Sequence, residues 1–317
     1  MEATVPPGHT TKAVSVVVPV YYNEHSLPHL FAALLEVEAA LAARQLALEL
    51  IFVDDGSGDA SFATLLELKR RRPATRVIRL TRNFGAIHAS KVGYQHVTGD
   101  CLVTLAADLQ DPPGLIPQMA ELWQQGAKYV VCARTNRRDP LPTRLFAALY
   151  YTLVRLLVVG NYPTGGYDLT LMDSAFFPHL RHSSKNINPH LFAHWLGFPP
   201  VVIPYVRSQR LHGKSRWTFA KKVKFLLDSL LGFSIVPIRL ISATGVAVAA
   251  VSFVYGALIV INALRGGSDE RGFATVVTLI AFLLGLVIMM LGLIGEYVWR
   301  IFDEVSRRPE AVIAEIH

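Results

Sequence analysis

Asp108, Gln110 and Asp111 fall close together in Leu105-Ala106-Ala107-Asp108-Leu109-Gln110-Asp111-Pro112-Pro113, directly after the apolar run Cys101 to Leu105. Carboxylate and amide oxygens at the tip of a strand suit a hard divalent cation, Mg²⁺ or Mn²⁺. The proline pair can open a helix, so Asp111 reads equally well as its N-cap. Asp54 and Asp55 end a second apolar run, Leu50 to Val53, and Glu24 closes the turn after a third, Val16 to Val20. Such acids can accept from the ring N–H of a base or from ribose hydroxyls, although each alone also fits a turn or cap. Glycine-rich patterns that hold phosphate on backbone N–H groups are absent, and carboxylates repel a diphosphate unless a cation lies between them.

These groups need a scaffold that brings strand ends together. Val77 to Leu80 runs into Arg82-Asn83-Phe84-Gly85, and Tyr129 to Cys132 into Arg134, so five strand ends finish in polar groups. Helix-like segments alternate with them: Leu27 to Ala43, Ser61 to Arg72, Ala86 to Val97 and Pro113 to Gln125. This βα alternation predicts an α/β fold with a mostly parallel sheet covered on both faces, whose ligands bind outside the carboxyl ends of the strands.

Beyond Arg134 the pattern changes. Thr143 to Val159 predicts a helix that lies in a membrane interface or in the core. Thr218 to Phe233 is amphipathic, with Lys221, Lys222 and Lys224 opposite Phe219, Val223, Leu226, Leu227, Leu230 and Leu231. No residue is charged from Leu240 to Leu264 or from Gly272 to Gly295. Each run exceeds the roughly 20 residues a spanning helix requires, which predicts a two-helix transmembrane hairpin. Basic residues flank its outer ends (Arg239, Arg300, Arg307, Arg308), while Arg265 and Arg271 balance Asp269 and Glu270 in the connection. The positive-inside rule then places both termini, and with them the first part of the chain, in the cytosol of a multi-pass membrane protein.

Met1 to Lys12 is polar and Val14 to Val20 is only strand-length, so no cleaved signal is expected. Cys101 and Cys132 read as buried small hydrophobes of a reducing compartment. The net charge of +7 comes without zinc spacing or a recognition helix, which excludes a nucleic-acid binder. Much of it lies between Arg207 and Lys224, where it suits anionic headgroups or a lipid phosphate. The histidines, His88 and His212 included, lack metal-ligand spacing. Gly245, Gly256, Gly285, Gly292 and Gly295 permit close helix packing and a homo-oligomer. The organisation expected is a catalytic part over 1–217, an amphipathic helix over 218–234, the hairpin over 235–299 and a cytosolic tail over 300–317.

Val18-Pro19-Val20-Tyr21-Tyr22-Asn23-Glu24, Val53-Asp54-Asp55-Gly56-Ser57, Arg82-Asn83-Phe84-Gly85 and Ala107-Asp108-Leu109-Gln110-Asp111-Pro112 resemble, in order, the motifs of family 2 glycosyltransferases with the GT-A fold. Gly165-Gly166-Tyr167-Asp168-Leu169 and His212-Gly213-Lys214-Ser215-Arg216-Trp217, followed by the hairpin, resemble its polyprenyl-phosphate branch. The resemblance implies a nucleotide-sugar donor with UDP-glucose favoured, a divalent metal, inversion at the anomeric carbon and undecaprenyl phosphate as acceptor in a lipid bilayer. By position, Pro19, Tyr21, Glu24 and Asp55 would hold base and ribose, with Asp54, Arg82 and Arg207 in the same binding set. Asp108 and Gln110 would hold the metal, and Arg207, Arg210 and Lys214 would face the acceptor phosphate. Asp168 would orient the acceptor or act as a base, with a structural hydrogen-bonding role as the alternative. The family's Asp-x-Asp has its first acid at Ala106 here, which leaves coordination to Asp108, Gln110, the diphosphate and water.

Two other functions compete. A processive polysaccharide synthase of the same superfamily would carry Gln-x-x-Arg-Trp and more spans, whereas this chain has Gln209-Arg210-Leu211-His212 and two. A catalytically silent scaffold for lipid or a partner subunit would be consistent with Ala106.

Overall fold

The computed structural model describes the chain apart from residues 1–10, 137–140, 161, 164–165, 186, 208–218 and 266–271. It divides into two units, Met1–Ser229 with Pro309–His317, and Leu230–Arg308.

The first unit is built on one eight-stranded sheet. Its centre is β1 (Lys12–Val20), β2 (Leu46–Asp54), β3 (Arg76–Leu80) and β4 (Cys101–Thr104), all parallel. β-Branched residues dominate β1, and burial on both sides of the sheet makes it apolar nearly without interruption. Val14, Val16, Val18 and Val20 pack with α1 (Leu27–Ala42), α2 (Ser61–Arg71) and α4 (Ile116–Gln124). On the opposite face Val17 and Val53 meet α3 (Ala86–Gln95) at Gly93, where even a Cβ would strike Val17. Helix α1 follows from its apolar spacing at Leu27, Leu30, Phe31, Leu34, Val37 and Leu41, and from Pro28 in its first turn.

The sheet continues through β5 (Tyr129–Asn136), β6 (Thr170–Asp173) and β7 (Pro200–Val206), in the order β7-β5-β6-β4. β6 runs antiparallel to both β4 and β5, so its first residues share an edge with the carboxyl ends of the other strands. That edge gathers the polar groups. The predicted strands and helices are present, and the predicted helix at 113–125 opens with a short 3₁₀ turn, Pro113–Leu115. α5 (Leu141–Leu157) and α8 (Phe219–Phe233) occupy the two amphipathic stretches.

Three strands lie outside the sequence reading. β6 is too short to announce itself, and β7 carries Pro204, which an edge strand tolerates. The third is β8 (Ile313–Ile316), which pairs antiparallel with β3 at the other edge of the sheet. The 300–317 segment, read from sequence as a tail, therefore divides. Arg300 to Val305 ends the last helix, while Pro309–His317 belongs to the first unit and its Ile313–Ile316 joins the sheet.

The second unit holds α9 (Val236–Leu264) and α10 (Phe273–Val305). Each contains a 24-residue stretch long and apolar enough to cross a membrane, Val236–Ile259 and Phe282–Val305. The helices touch where Met290 Cε would lie 3.0 Å from a Cβ at Gly245.

Candidate active site

At the β1 end, the chain turns through Tyr21 to Ser26, with Tyr22 in the left-handed region at φ 56°. Side chains of the neighbouring loop hold this turn. Tyr22 N–H donates to Ser57 Oγ (3.1 Å) and Asn23 N–H to Ser61 Oγ (2.8 Å), while Glu24 Oε2 accepts from Ala60 N–H (2.8 Å). Glu24 thus ties the β1 and β2 loops together. Pro19 and Tyr21 lie half-buried beside it.

Asp55 is 1% exposed, and its carboxylate accepts from Phe84 N–H (2.7 Å), Gly85 N–H (2.8 Å) and Asn83 Nδ2 (2.9 Å). Burial pushes its carboxyl above the usual aspartate range, against the pull of those backbone bonds. Asp54 is wholly buried. Its Oδ2 accepts from Ser57 N–H (3.3 Å) and lies 3.8 Å from Arg79 Nε, whereas its Oδ1 has no hydrogen-bond partner among the described residues. Burial raises this carboxyl too. Gly56 makes the close approach possible. At φ 67° it brings its backbone so near Arg82 that a Cβ would lie 2.5 Å from the Arg82 carbonyl carbon. Arg82 itself is exposed and stacks 4.0 Å from the Phe84 ring centroid.

After β4, Asp108 and Gln110 bracket Leu109, a non-glycine residue at φ 57°. Asp108 Oδ1 accepts from Gln110 N–H (3.2 Å), and Ala107 C=O accepts from Ser26 Oγ (2.7 Å), which fastens this turn to α1. A non-glycine residue in this region marks a strained turn held by its surroundings. Asp111 does not cap the following helix, whose first turn lacks a side-chain cap. It is 1% exposed and accepts from the Tyr205 hydroxyl, and Arg207 Nε lies 3.6 Å away.

Arg207 leads across the edge to Asp168, 3.5 Å from Arg207 NH2 and directly paired with Arg134 NH2. Arg134 and Tyr205 are register partners on β5 and β7, and the pairing register shifts between Arg134 and Asn136. Arg134 is 11% exposed and Asp168 51%, so the carboxylate faces outward from two guanidinium groups. Behind Asp168, Tyr167 is buried with its hydroxyl bonded to Tyr129 OH (2.9 Å). Gly166, at φ 65°, leaves the space that the Tyr151 hydroxyl fills. Arg210 and Lys214 lie outside the described residues.

Residues 15–169 match the family description Glycosyl transferase family 2, and residues 236–301 match GtrB C-terminal hairpin. An uncharacterised glycosyltransferase of Synechocystis sp. is 30% identical over 309 residues, 96% of this chain and 96% of its own length. The bactoprenol glucosyl transferase of Shigella phage SfII is 31% identical over 306 residues, 96% of this chain and 98% of its own. The chain belongs to glycosyltransferase family 2.

In this family 2 glycosyltransferase, with its GT-A fold, the site assembles along one sheet edge. Sequence reasoning noted Arg134 only as a strand end, and it missed Tyr205. Neither carries a motif, and both acquire meaning from the β5–β7 pairing. His88, which lacks metal-ligand spacing in the sequence, pairs with Glu310 (2.9 Å). No group of three or more His, Cys, Asp or Glu residues that could hold a metal occurs among the described residues. The donor set at β4 is one carboxylate and one amide on a strained turn. It fits a Mg²⁺-type ion that takes its remaining ligands from substrate phosphates and water, and fits poorly an ion that needs an all-protein cage.

Proposed function

We propose that this glycosyltransferase moves a single glucose from UDP-glucose to undecaprenyl phosphate, with inversion, at the cytosolic face of the inner membrane. The observation that carries the reading is the convergence of Arg134 and Arg207 on the half-exposed Asp168 at the sheet edge. Two guanidinium groups held this way are a ready site for a phosphate monoester, which would displace or share the carboxylate as their partner. Further support comes from relatives named bactoprenol glucosyl transferases and from the hairpin match, which spans both apolar helices.

The chemistry follows from the acceptor. A phosphate monoester has its second pKa near about 6 and is largely dianionic at cytosolic pH, so it needs little help from a base. A phosphate oxygen attacks the anomeric carbon from the face opposite the nucleoside diphosphate. The new C–O bond forms as the old one breaks, and its electron pair leaves with the diphosphate. The residues here provide alignment. The loops around Glu24, Asp55 and Gly85 hold the nucleotide, while Arg134 and Arg207 hold the acceptor. Asp108 and Gln110 would hold a divalent ion, which when bound neutralises charge on the leaving diphosphate. Asp168, paired with Arg134 and 3.5 Å from Arg207 NH2, acts as their spacer.

The test is transfer from radiolabelled UDP- and GDP-sugars to undecaprenyl phosphate by full-length protein, with Mg²⁺, with Mn²⁺ and with EDTA, followed by NMR of the product's anomeric configuration. Metal-dependent labelled lipid from UDP-glucose, with the anomeric configuration inverted, is the expected result. Folded protein that yields no labelled lipid from any donor would overturn it and favour the scaffold that Ala106 suggests.

A further inference from the structure

The segment after α10 reaches Asp54 through one intermediary and Asp55 through two. Glu315 of β8 pairs with Arg79 (3.1 Å), and Arg79 Nε lies 3.8 Å from Asp54 Oδ2. Glu310 pairs with Lys91 Nζ (2.7 Å) and with His88 Nδ1 (2.9 Å), both on α3. The His88 ring lies against Gly85, where an added Cβ would be 3.8 Å from its Cδ2, and Gly85 N–H donates to Asp55 at 2.8 Å. Lys91 is 4% exposed, and it also donates to the carbonyls of Ser183 (3.3 Å) and Ser184 (2.8 Å). A buried ammonium among neutral carbonyls needs a counter-charge, and Glu310 supplies it.

Attachment of the tail does not depend on this carboxylate. The backbone of Val77 exchanges both hydrogen bonds with that of His317 (3.0 and 2.8 Å), and Thr81 N–H donates to Val312 C=O (3.0 Å). Glu310 stands apart from that ladder, at the first turn of α3, where the Asn83-Phe84-Gly85 loop hands over to the helix.

We propose that Glu310 is a positioning residue for donor binding: by holding His88 and Lys91 it fixes the first two turns of α3, and with them the loop that closes on Asp55. The proposal rests on the donor-site reading above. It makes a residue that follows the apolar hairpin part of the support for the nucleotide site.

Full-length protein in nanodiscs tests this with Glu310→Ala, and with Glu310→Gln should the first variant fold poorly. Val312→Thr, at an exposed tail position, serves as the control. Amide hydrogen exchange is read over residues 83–91 and separately at Val77 and Thr81, alongside calorimetric titration with UDP. Glu310→Ala should speed exchange across 83–91 by about tenfold while Val77 and Thr81 stay protected. The Kd for UDP and the donor KM should rise roughly five- to tenfold with kcat within about twofold, since an interaction made equally in ground and transition states is lost. His88→Ala should give a similar effect, and the double variant should be clearly less than additive. Unchanged exchange over 83–91 overturns the proposal. So does equal loss of protection at Val77 and Thr81, which would make Glu310 a strand anchor. Wild-type protein that binds no UDP would defeat the donor reading, while the exchange measurements would still decide whether Glu310 fixes the loop.

Discussion

The two flanks of the sheet edge hold their charges in different ways. Around β1, β2 and β3 the acids are satisfied mainly by backbone: Asp55 by Phe84 and Gly85, Asp54 by Ser57, Glu24 by Ala60. Around β5, β6 and β7 the charges pair with one another through side chains, with Arg134, Asp168, Arg207, Asp111 and Tyr205 in one chain of contacts. Backbone bonds fix loops. Side-chain ion pairs, half open to water, can exchange a carboxylate for an incoming anion of similar geometry. On the proposed reading, the first flank would be a preformed cradle for the nucleotide, and the second a set of cations held by a resident carboxylate until the acceptor phosphate takes its place.

The largest effect should come from dismantling the cradle. Asp55→Ala leaves two backbone N–H groups and the Asn83 amide without their acceptor in a buried place. Each lost charge-assisted bond is worth about 1.5–3 kcal/mol. The variant should lose at least about 100-fold in kcat/KM for the donor. It should also unfold at lower denaturant, which chemical denaturation reads directly. A variant that kept its donor KM would show that the loop is held by something other than Asp55.

On the second flank Arg134→Gln should cost about 100-fold in kcat/KM for the acceptor, since a buried guanidinium engages phosphate through paired bonds. Donor KM should stay near the wild-type value. Equal loss toward both substrates would erase the distinction between the flanks. Asp168→Asn sharpens it. A general base contributes roughly 10²–10⁴ in rate, whereas a spacer between two arginines should change kcat by about tenfold or less. Steady-state kinetics at varied undecaprenyl phosphate should place most of that change in the acceptor KM.

These differences bear on how far the sequence could be read. The cradle was legible because each of its loops directly follows an apolar run, so position along the chain gives position at the sheet edge. The place of Asp54 and Asp55 at a strand end was legible, but not that the 83–85 loop would engage one and leave an oxygen of the other without a hydrogen-bond partner among the described residues. That depends on Gly56 and on the approach of Arg82, which are tertiary facts. The second flank was legible only in part. Arg134, Asp168 and Arg207 meet because β6 reverses direction and β7 pairs with β5, and neither strand had a sequence signal strong enough to place it. β8 was invisible for the same reason, since its partner β3 lies more than two hundred residues away in the chain.

Between the flanks stands the β4 turn, where Ala106 occupies the position at which the resembling motif has an acid. Ala106→Asp should lower the Mg²⁺ concentration for half-maximal transfer by roughly tenfold, because an added carboxylate raises the ligand charge. Turnover at saturating metal should change less. A variant indifferent to metal concentration would show that position 106 does not face the ion.

The smallest effect expected is one of stability, and it comes from the cradle's one poorly satisfied acid. Burial raises the Asp54 carboxyl above its ordinary value of 3.8, so the folded state holds this proton more tightly than the unfolded chain does. The contribution of Asp54 to stability is then greatest at low pH, declines as pH rises from the unfolded value through the folded one, and stays at its lower level above that. Asp54→Asn removes the charge while keeping an acceptor for Ser57 N–H. Its melting temperature at pH 7 should exceed wild type by roughly 2–4 °C, equivalent to about 1 kcal/mol for a unit of this size. Near the unfolded pKa the gain should shrink, because the wild-type carboxyl is then largely protonated in the fold. Calorimetry across this range distinguishes burial from pairing: a variant less stable than wild type at pH 7 would mean that the attraction of Arg79 for Asp54 outweighs its desolvation, and that the cradle too depends on a side-chain ion pair.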